Sequence, residues 1–155
     1  MNKNNNNKFL IRCAVHALIL KNEKILLYRR VNTNWQDGKY GIPGGHLEAG
    51  ETVLQATVRE IKEESGLDVK PEDLVLVHTS HRYYDPGKSI ETNHDYIDLF
   101  FKVTSWTGDP IITSENKSDE MKWVDIRGLP ENTLGYEKSM IENYLNGKYY
   151  SEFSS

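Results

Sequence analysis

The 155-residue chain has one cysteine, five prolines and no excess of basic residues, with 19 Lys and Arg against 23 Asp and Glu for a net charge of −4. Each shortage excludes something. Cys13 cannot form an internal disulfide; lying in an apolar run, it reads as a buried, inert thiol suited to a reducing, cytoplasmic setting. Without a surplus of cations there are no counterions to displace from a nucleic-acid backbone, so nucleic acid is not an expected partner. No apolar run approaches the roughly 18 residues a membrane span needs, so no membrane partner is expected either. The opening MNKNNNNK lacks the apolar core of a signal peptide and reads as a disordered, Asn-rich tail over residues 1–8. Internal repeats and linker-like stretches are absent, which leaves one domain over 9–150, as a monomer or homodimer.

What is present is 37% apolar and 27% charged, the composition of an ordinary globular protein. Phe9–Leu20 and Ile25–Arg30 read as a hairpin around Lys21–Lys24. Tyr40–Ile42 is a short strand ahead of Pro43-Gly44-Gly45, which reads as a tight turn. Further strands are expected at Leu74–Ser80, Asp95–Thr104, Ile111–Thr113 and Met121–Ile126. A long loop is expected over His81–Asn93, of a length that is often functional, and an acidic loop over Ser114–Glu120. Tyr136–Leu145 reads as a final amphipathic helix stopped by Gly147. Strands, helix, strands, helix is the order of an α/β fold: a mixed central sheet with a helix against each face.

The densest pattern lies between Gly45 and Leu67. At about 100° per residue, Thr52–Ser65 forms a helix with Leu54, Val58 and Ile61 as an apolar stripe. Glu60, Glu63 and Glu64 fall together on another face, within an arc of roughly 100°. Like charges at that spacing repel by a few tenths of a kcal/mol per pair. The bland explanation is a solvated acidic face; the sharper one is a hard cation, Mg²⁺ with Mn²⁺ as a substitute, gathered by carboxylate oxygens. Glu51 and Thr52 suit the helix start and Gly66 its end. Arg59 points to one side of the acidic cluster, where it pairs with Glu51 or orients a neighbouring carboxylate. A net-negative protein holds polyphosphate only through such an ion, so overall charge and cluster agree.

Gly45, Glu51, Arg59, Glu60, Ile61, Glu63, Glu64, Gly66 and Leu67 fill all nine constrained positions of the signature that marks the Nudix hydrolases. The chain therefore resembles that family, in its MutT-like branch. Segments 106–110 (WTGDP), 117–124 (KSDEMKWV) and 129–133 (LPENT) resemble small bacterial members too. The resemblance implies an α/β/α sandwich with a loop-helix-loop at one end and a C-terminal helix. It implies a Mg²⁺-dependent pyrophosphohydrolase cleaving (deoxy)nucleoside triphosphates, oxidised ones among them, to a monophosphate and pyrophosphate. Hydrolysis of dinucleoside polyphosphates, NDP-sugars or ADP-ribose is the alternative, as is a nucleotide sensor without turnover.

Carried onto this chain, the metal site consists of Glu60, Glu63 and Glu64 with the backbone carbonyl of Gly45, joined by an acid from the loop before the last strand. Glu120 is the first choice for that acid, ahead of Glu115 and Asp119. Glu63 or Glu60 is the general base, with Arg59 beside it. Arg30, rather than Arg29, is expected on phosphate. His46 is expected on a phosphate or the base, and Tyr40, Trp35, Tyr83 or Tyr84 as a stacking face. A tyrosine about 16 to 18 residues past the signature resembles a mark of dinucleoside polyphosphate hydrolases, and Tyr83 and Tyr84 sit there. A proline about 15 residues past it resembles the ADP-ribose group, but that position is Arg82.

Overall fold

The computed structural model describes residues 10–85, 94–113 and 117–154. The expected tail, residues 86–93 of the long loop and Glu115 lie outside the described residues.

The near-continuous apolar run after Arg12 forms strand β1 (Arg12–Lys21), buried from Ala14 to Ile19. A strand covered on only one face would alternate; burial of every residue means both faces are covered. Val15, Ala17 and Ile19 pack in one core with Ala56 and Ile61, whereas Leu18 packs in a second with Phe100, Met140 and Ile141. The first of these cores lies under helix α1 (Val53–Ser65) and the second under helix α2 (Gly135–Leu145).

Around β1 the sheet is mixed. β1 meets β2 (Lys24–Arg30) across the turn containing Asn22, which adopts φ 57°. Toward its start β1 pairs antiparallel with β4 (Gly44–His46), and along its length it pairs parallel with β6 (Tyr96–Val103). Strand β3 (Tyr40–Gly41) and strand β7 (Ser118–Asp125) pair with β2. Strand β5 (Leu74–Tyr83) lies antiparallel to β6, and β8 (Tyr150–Ser154) adds a parallel strand to β5. A short 3₁₀ turn, Pro71–Asp73, leads into β5. This is the α/β/α arrangement expected from the order of elements.

Local chemistry sets the ends of α1. Thr52 accepts from the Gln55 N–H while the Gln55 side chain accepts from the Thr52 N–H, a reciprocal capping box. Gly66 closes the helix at φ 72°, with its N–H on Lys62 O. An added Cβ there would also lie 2.7 Å from Ile111. The most deeply buried helix residues are Ala56, Thr57, Ile61 and Ser65, so the contact face is centred beside the Leu54–Val58 stripe, both of which are only partly buried. Full burial of Ile61 is worth about 1.5–3 kcal/mol.

Five expectations need correction. Gly44 and Gly45 form β4 instead of a turn. Strand β4 lies so close to β1 that a Cβ on Gly44 would stand 2.3 Å from Val15 O, and only glycine permits that approach. Ile111–Thr113 is not a strand, because the Ile111 N–H donates to Ser65 O and the segment packs on the end of α1. β7 begins at Ser118, inside the expected acidic loop, and β5 runs on to Tyr83, shortening the expected long loop. β8 continues past the expected boundary at 150; His78 fixes it by contacting Lys148 O and Ser151 Oγ at 2.8 Å each.

Candidate active site

Arg59 ties the loop before α1 to the helix. Its Nη2 and Nε donate to Glu51 Oε1 and Oε2 at 2.8 and 3.1 Å, and Nη2 also reaches His46 O at 3.2 Å. Nη1 donates to Glu60 Oε1 at 2.8 Å and lies 3.5 Å from Glu63 Oε2. One guanidinium thus does both things expected of it, pairing with Glu51 and orienting Glu60, and it holds the Glu51 carboxyl below its usual range.

The carboxylates of α1 occupy different surroundings. Glu64 is half-buried, with Oε2 accepting from the Gly44 N–H at 2.9 Å. Burial pushes its carboxyl up to about 8, against the relief that hydrogen bond gives. Burial also raises Glu60, although Arg59 opposes it. Glu60 packs on Gly45 so closely that a Cβ there would fall 2.2 Å from Oε1. Glu63 is more exposed, its side chain 56% accessible.

Glu60, Glu64 and Gly45 line a cleft of about 580 Å³. Arg30 and Lys117 line the same cleft and bring positive charge to it. Arg30 lies 5.0 Å over the ring of Trp35, and its Nε donates to Trp35 O. The cleft deepens toward α2 over a buried polar floor. There Arg82 is clasped by Asp98 through two 3.0 Å hydrogen bonds and lies between the rings of Tyr96 and Tyr136, at 4.1 and 4.3 Å. His16 Nε2 is 3.0 Å from Asp98 Oδ1, and its ring stacks on Phe100 at 4.4 Å. Burial alone would lower the His16 pKa, but Asp98 and Glu137 outweigh it and hold the imidazole at about 9. Glu137 is buried too, accepting from the Ile42 N–H at 2.9 Å and the Tyr136 O–H at 3.0 Å. At the rim, burial and the nearby Arg12 and Arg82 lower His46.

Of the residues singled out in the sequence, Gly45, Glu60, Glu64, Arg30, His46 and Trp35 line this cleft. Arg59 and Glu63 stand beside it on α1. Tyr40, Tyr83 and Glu120 do not line it. The β2–β7 register pairs Glu120 with Arg29, and Arg29 projects to the face opposite Tyr28 and Arg30. Glu120 therefore accepts from the Tyr40 O–H at 2.7 Å and sits near Lys122 and Arg29, while Asp119 pairs with Arg29 at 2.8 Å. Tyr83 is on the exposed end of β5 near His81.

Among the described residues, no three His, Cys, Asp or Glu side chains stand as a ready-made metal cluster. The donor chemistry nevertheless fits a hard divalent cation. Two carboxylates destabilised by burial share one cleft, and glycine leaves the space beside Glu60 that a side chain would fill. Missed in the sequence were His16, Asp98, Arg82, Tyr96, Tyr136 and Glu137. Their signal was a histidine and an aspartate inside otherwise apolar strands, positions where a polar group needs a partner.

A cleft with half-buried carboxylates on a capped helix, cations nearby and a polar aromatic floor defines a site for a phosphorylated ligand on an α/β/α frame. A family model described as the NUDIX domain matches residues 10–144, and the chain belongs to the Nudix family. It is 35% identical over 135 residues to an ADP-ribose pyrophosphatase of Methanocaldococcus jannaschii, covering 87% of this chain and 73% of that one. It is 32% identical over 119 residues to the 8-oxo-dGTP diphosphatase of Escherichia coli K12, covering 77% and 83%. The fold superposes on the crystal structure of a MutT NUDIX hydrolase from Burkholderia pseudomallei with a TM-score of 0.75 at 21% identity, over 86% of this chain and 97% of that one. The protein is a Nudix pyrophosphohydrolase, acting on a diphosphate bond of a small nucleotide substrate. Nudix hydrolases generally use divalent metals such as Mg²⁺. Among the described residues no helix is long and apolar enough to cross a membrane.

Proposed function

We propose that this enzyme hydrolyses (deoxy)nucleoside triphosphates, oxidised ones included, to a monophosphate and pyrophosphate in a Mg²⁺-dependent reaction. The observation that carries this reading is one continuous cleft that joins the Glu60–Glu64 carboxylates and the Arg30 and Lys117 cations to a deep floor beside α2. Polyphosphate suits the first part and a base the second. The 8-oxo-dGTP diphosphatase relative supports it. ADP-ribose is the second reading, favoured by the relative with the longer match.

Glu60, Glu64 and the Gly45 carbonyl would hold the cation, with Glu63 the remaining carboxylate on the same helix. Bound there, the metal supplies charge neutralisation of the phosphoryl oxygens and acidifies a water. Arg30 and Lys117 hold the phosphate chain in the cleft, where anionic oxygens otherwise shield phosphorus from attack. Glu63 or Glu60 takes the proton of the attacking water as its oxygen bonds to phosphorus and the bridging oxygen leaves with its phosphate. Arg59 positions Glu60 and keeps the loop on the helix. The half-buried Cys13 suits a reducing, cytoplasmic setting.

A panel of nucleoside triphosphates, dinucleoside polyphosphates, NDP-sugars and ADP-ribose, assayed with Mg²⁺ and product identification, decides the substrate. The expected result is monophosphate and pyrophosphate from triphosphates. ADP-ribose cleaved with triphosphates untouched would replace this reading with the second.

A further inference from the structure

A buried tyrosine joins the cationic and the acidic sides of the cleft. Tyr28, near the end of β2, is 5% exposed and lines the cleft together with Arg30 and Glu64. Arg30 stands two residues further on, so both side chains leave the same face of the strand. Arg30 Nη1 donates to the Tyr28 hydroxyl at 3.3 Å, while Nε donates to Trp35 O and the guanidinium lies over the Trp35 ring. The same hydroxyl also hydrogen-bonds the Glu64 carboxylate on α1.

Donor chemistry fixes the direction of this chain. A guanidinium has donors only, so the phenol oxygen accepts from Arg30 and its single hydrogen goes to the carboxylate. Glu64 then receives donors from two strands, the Gly44 N–H of β4 at 2.9 Å and the Tyr28 O–H of β2. A single bond would leave the carboxylate free to swing about it. Two bonds from different strands fix the plane of the group, and with it the directions of the lone pairs that remain for a cation. Arg30 in turn holds the hydroxyl from the other side, so its rotation is fixed as well.

We propose that Tyr28 is a positioning residue for the metal site, its hydroxyl held by Arg30 and aiming the Glu64 carboxylate at the cation. Tyr28 touches neither the cation nor the reacting atoms; it acts through Glu64. Partners that hold a metal-binding side chain in this way change metal affinity or activity by about 10–100-fold when they are lost. Because the hydroxyl also carries Arg30, one oxygen links the group expected on phosphate to the group expected on the metal. This inference rests on the functional reading above for the placement of the cation on Glu64.

The test is a double-mutant cycle on Mn²⁺ binding to the nucleotide-free enzyme, followed by the electron paramagnetic resonance signal of the free ion. Tyr28→Phe removes one oxygen and leaves the ring to pack, so the urea midpoint should stay near wild type. Its Mn²⁺ affinity is expected to fall about tenfold. In a Glu64→Gln background the same substitution should change affinity by less than about twofold, because the carboxylate it aims is gone. A merely structural role would subtract the same amount in both backgrounds. Tyr28→Phe binding Mn²⁺ within about twofold of wild type, while Glu64→Gln binds it weakly, overturns the inference and leaves the metal reading intact. So does an equal loss in both backgrounds. Glu64→Gln binding Mn²⁺ as wild type does overturns the metal reading of Glu64 instead, and the inference with it. Should Tyr28→Phe not fold, Mn²⁺-soaked crystals of the wild type decide: a hydroxyl within hydrogen-bond reach of a metal-bound Glu64 is expected, and a separation beyond about 3.5 Å overturns the inference.

Discussion

Raising the pH from 6 to 9.5 should strip stability from this protein through one buried side chain, His16. In the folded protein Asp98 and Glu137 hold its imidazole at about 9, against an ordinary value of 6.5. Below 6.5 both folded and unfolded chains carry the proton, and the stabilisation is complete. Between 6.5 and 9 the unfolded chain loses the proton while the folded one keeps it, and each pH step removes about 1.4 kcal/mol. By pH 9.5 the loss reaches about 3 kcal/mol, a large part of the total stability of a domain this size. The assay is urea unfolding of wild type and His16→Gln across this range. Taking the difference between the two cancels Glu64, whose raised carboxyl also erodes stability as pH climbs from the ordinary 4.5 to about 8. Asp98 contributes in a separate window, since its depressed carboxyl costs stability only as pH falls into the acid range. A difference between the two proteins that stays flat from pH 6 to 9.5 would refute the charged state assigned to His16 and weaken the reading of the cleft floor.

Three further outcomes are expected. Glu63→Gln should cut turnover by about 10² or more while circular dichroism and the unfolding midpoint stay near wild type; wild-type rates would remove it from the reaction. Gly45→Ala puts a methyl where the Glu60 carboxylate lies, 2.2 Å from Oε1. Displacing that group by about 1 Å should lower kcat roughly 10²-fold at little cost in stability, and an unaffected kcat would show that Glu60 need not stay where it is. Thr52→Ala breaks the capping box and should cost about 1 kcal/mol in urea unfolding; no change would mean that water caps the helix equally well.

The legibility of this chain follows from how far apart its partners lie. Thr52 and Gln55 are three residues apart at the start of α1, so helical geometry alone brings them together, and Arg59 reaches back only eight residues to Glu51 on the adjoining loop. Glu120 shows the opposite. Its expected place depended on which face of β7 it occupies, a matter of register with β2, and a shift in that register between Arg29 and Arg30 cannot be read from local composition. Trp35 sits on a loop in which Asn32, Asn34 and Gln36 all adopt positive φ, so its position over Arg30 follows no periodicity.

By itself the sequence determined α1 with its caps, the carboxylates along it, the alternation of strands and helices, and through these the family. All of that is written within short spans, where the 3.6-residue and two-residue repeats translate spacing directly into direction. Only the tertiary structure decided the floor of the cleft. His16 from β1, Asp98 from β6, Arg82 from β5 and Glu137 from α2 are brought together by strand order and by the packing of a helix across a sheet. No local rule relates residues 82 positions apart. Their charges were visible along the chain, but their partners appeared only when the sheet closed around them.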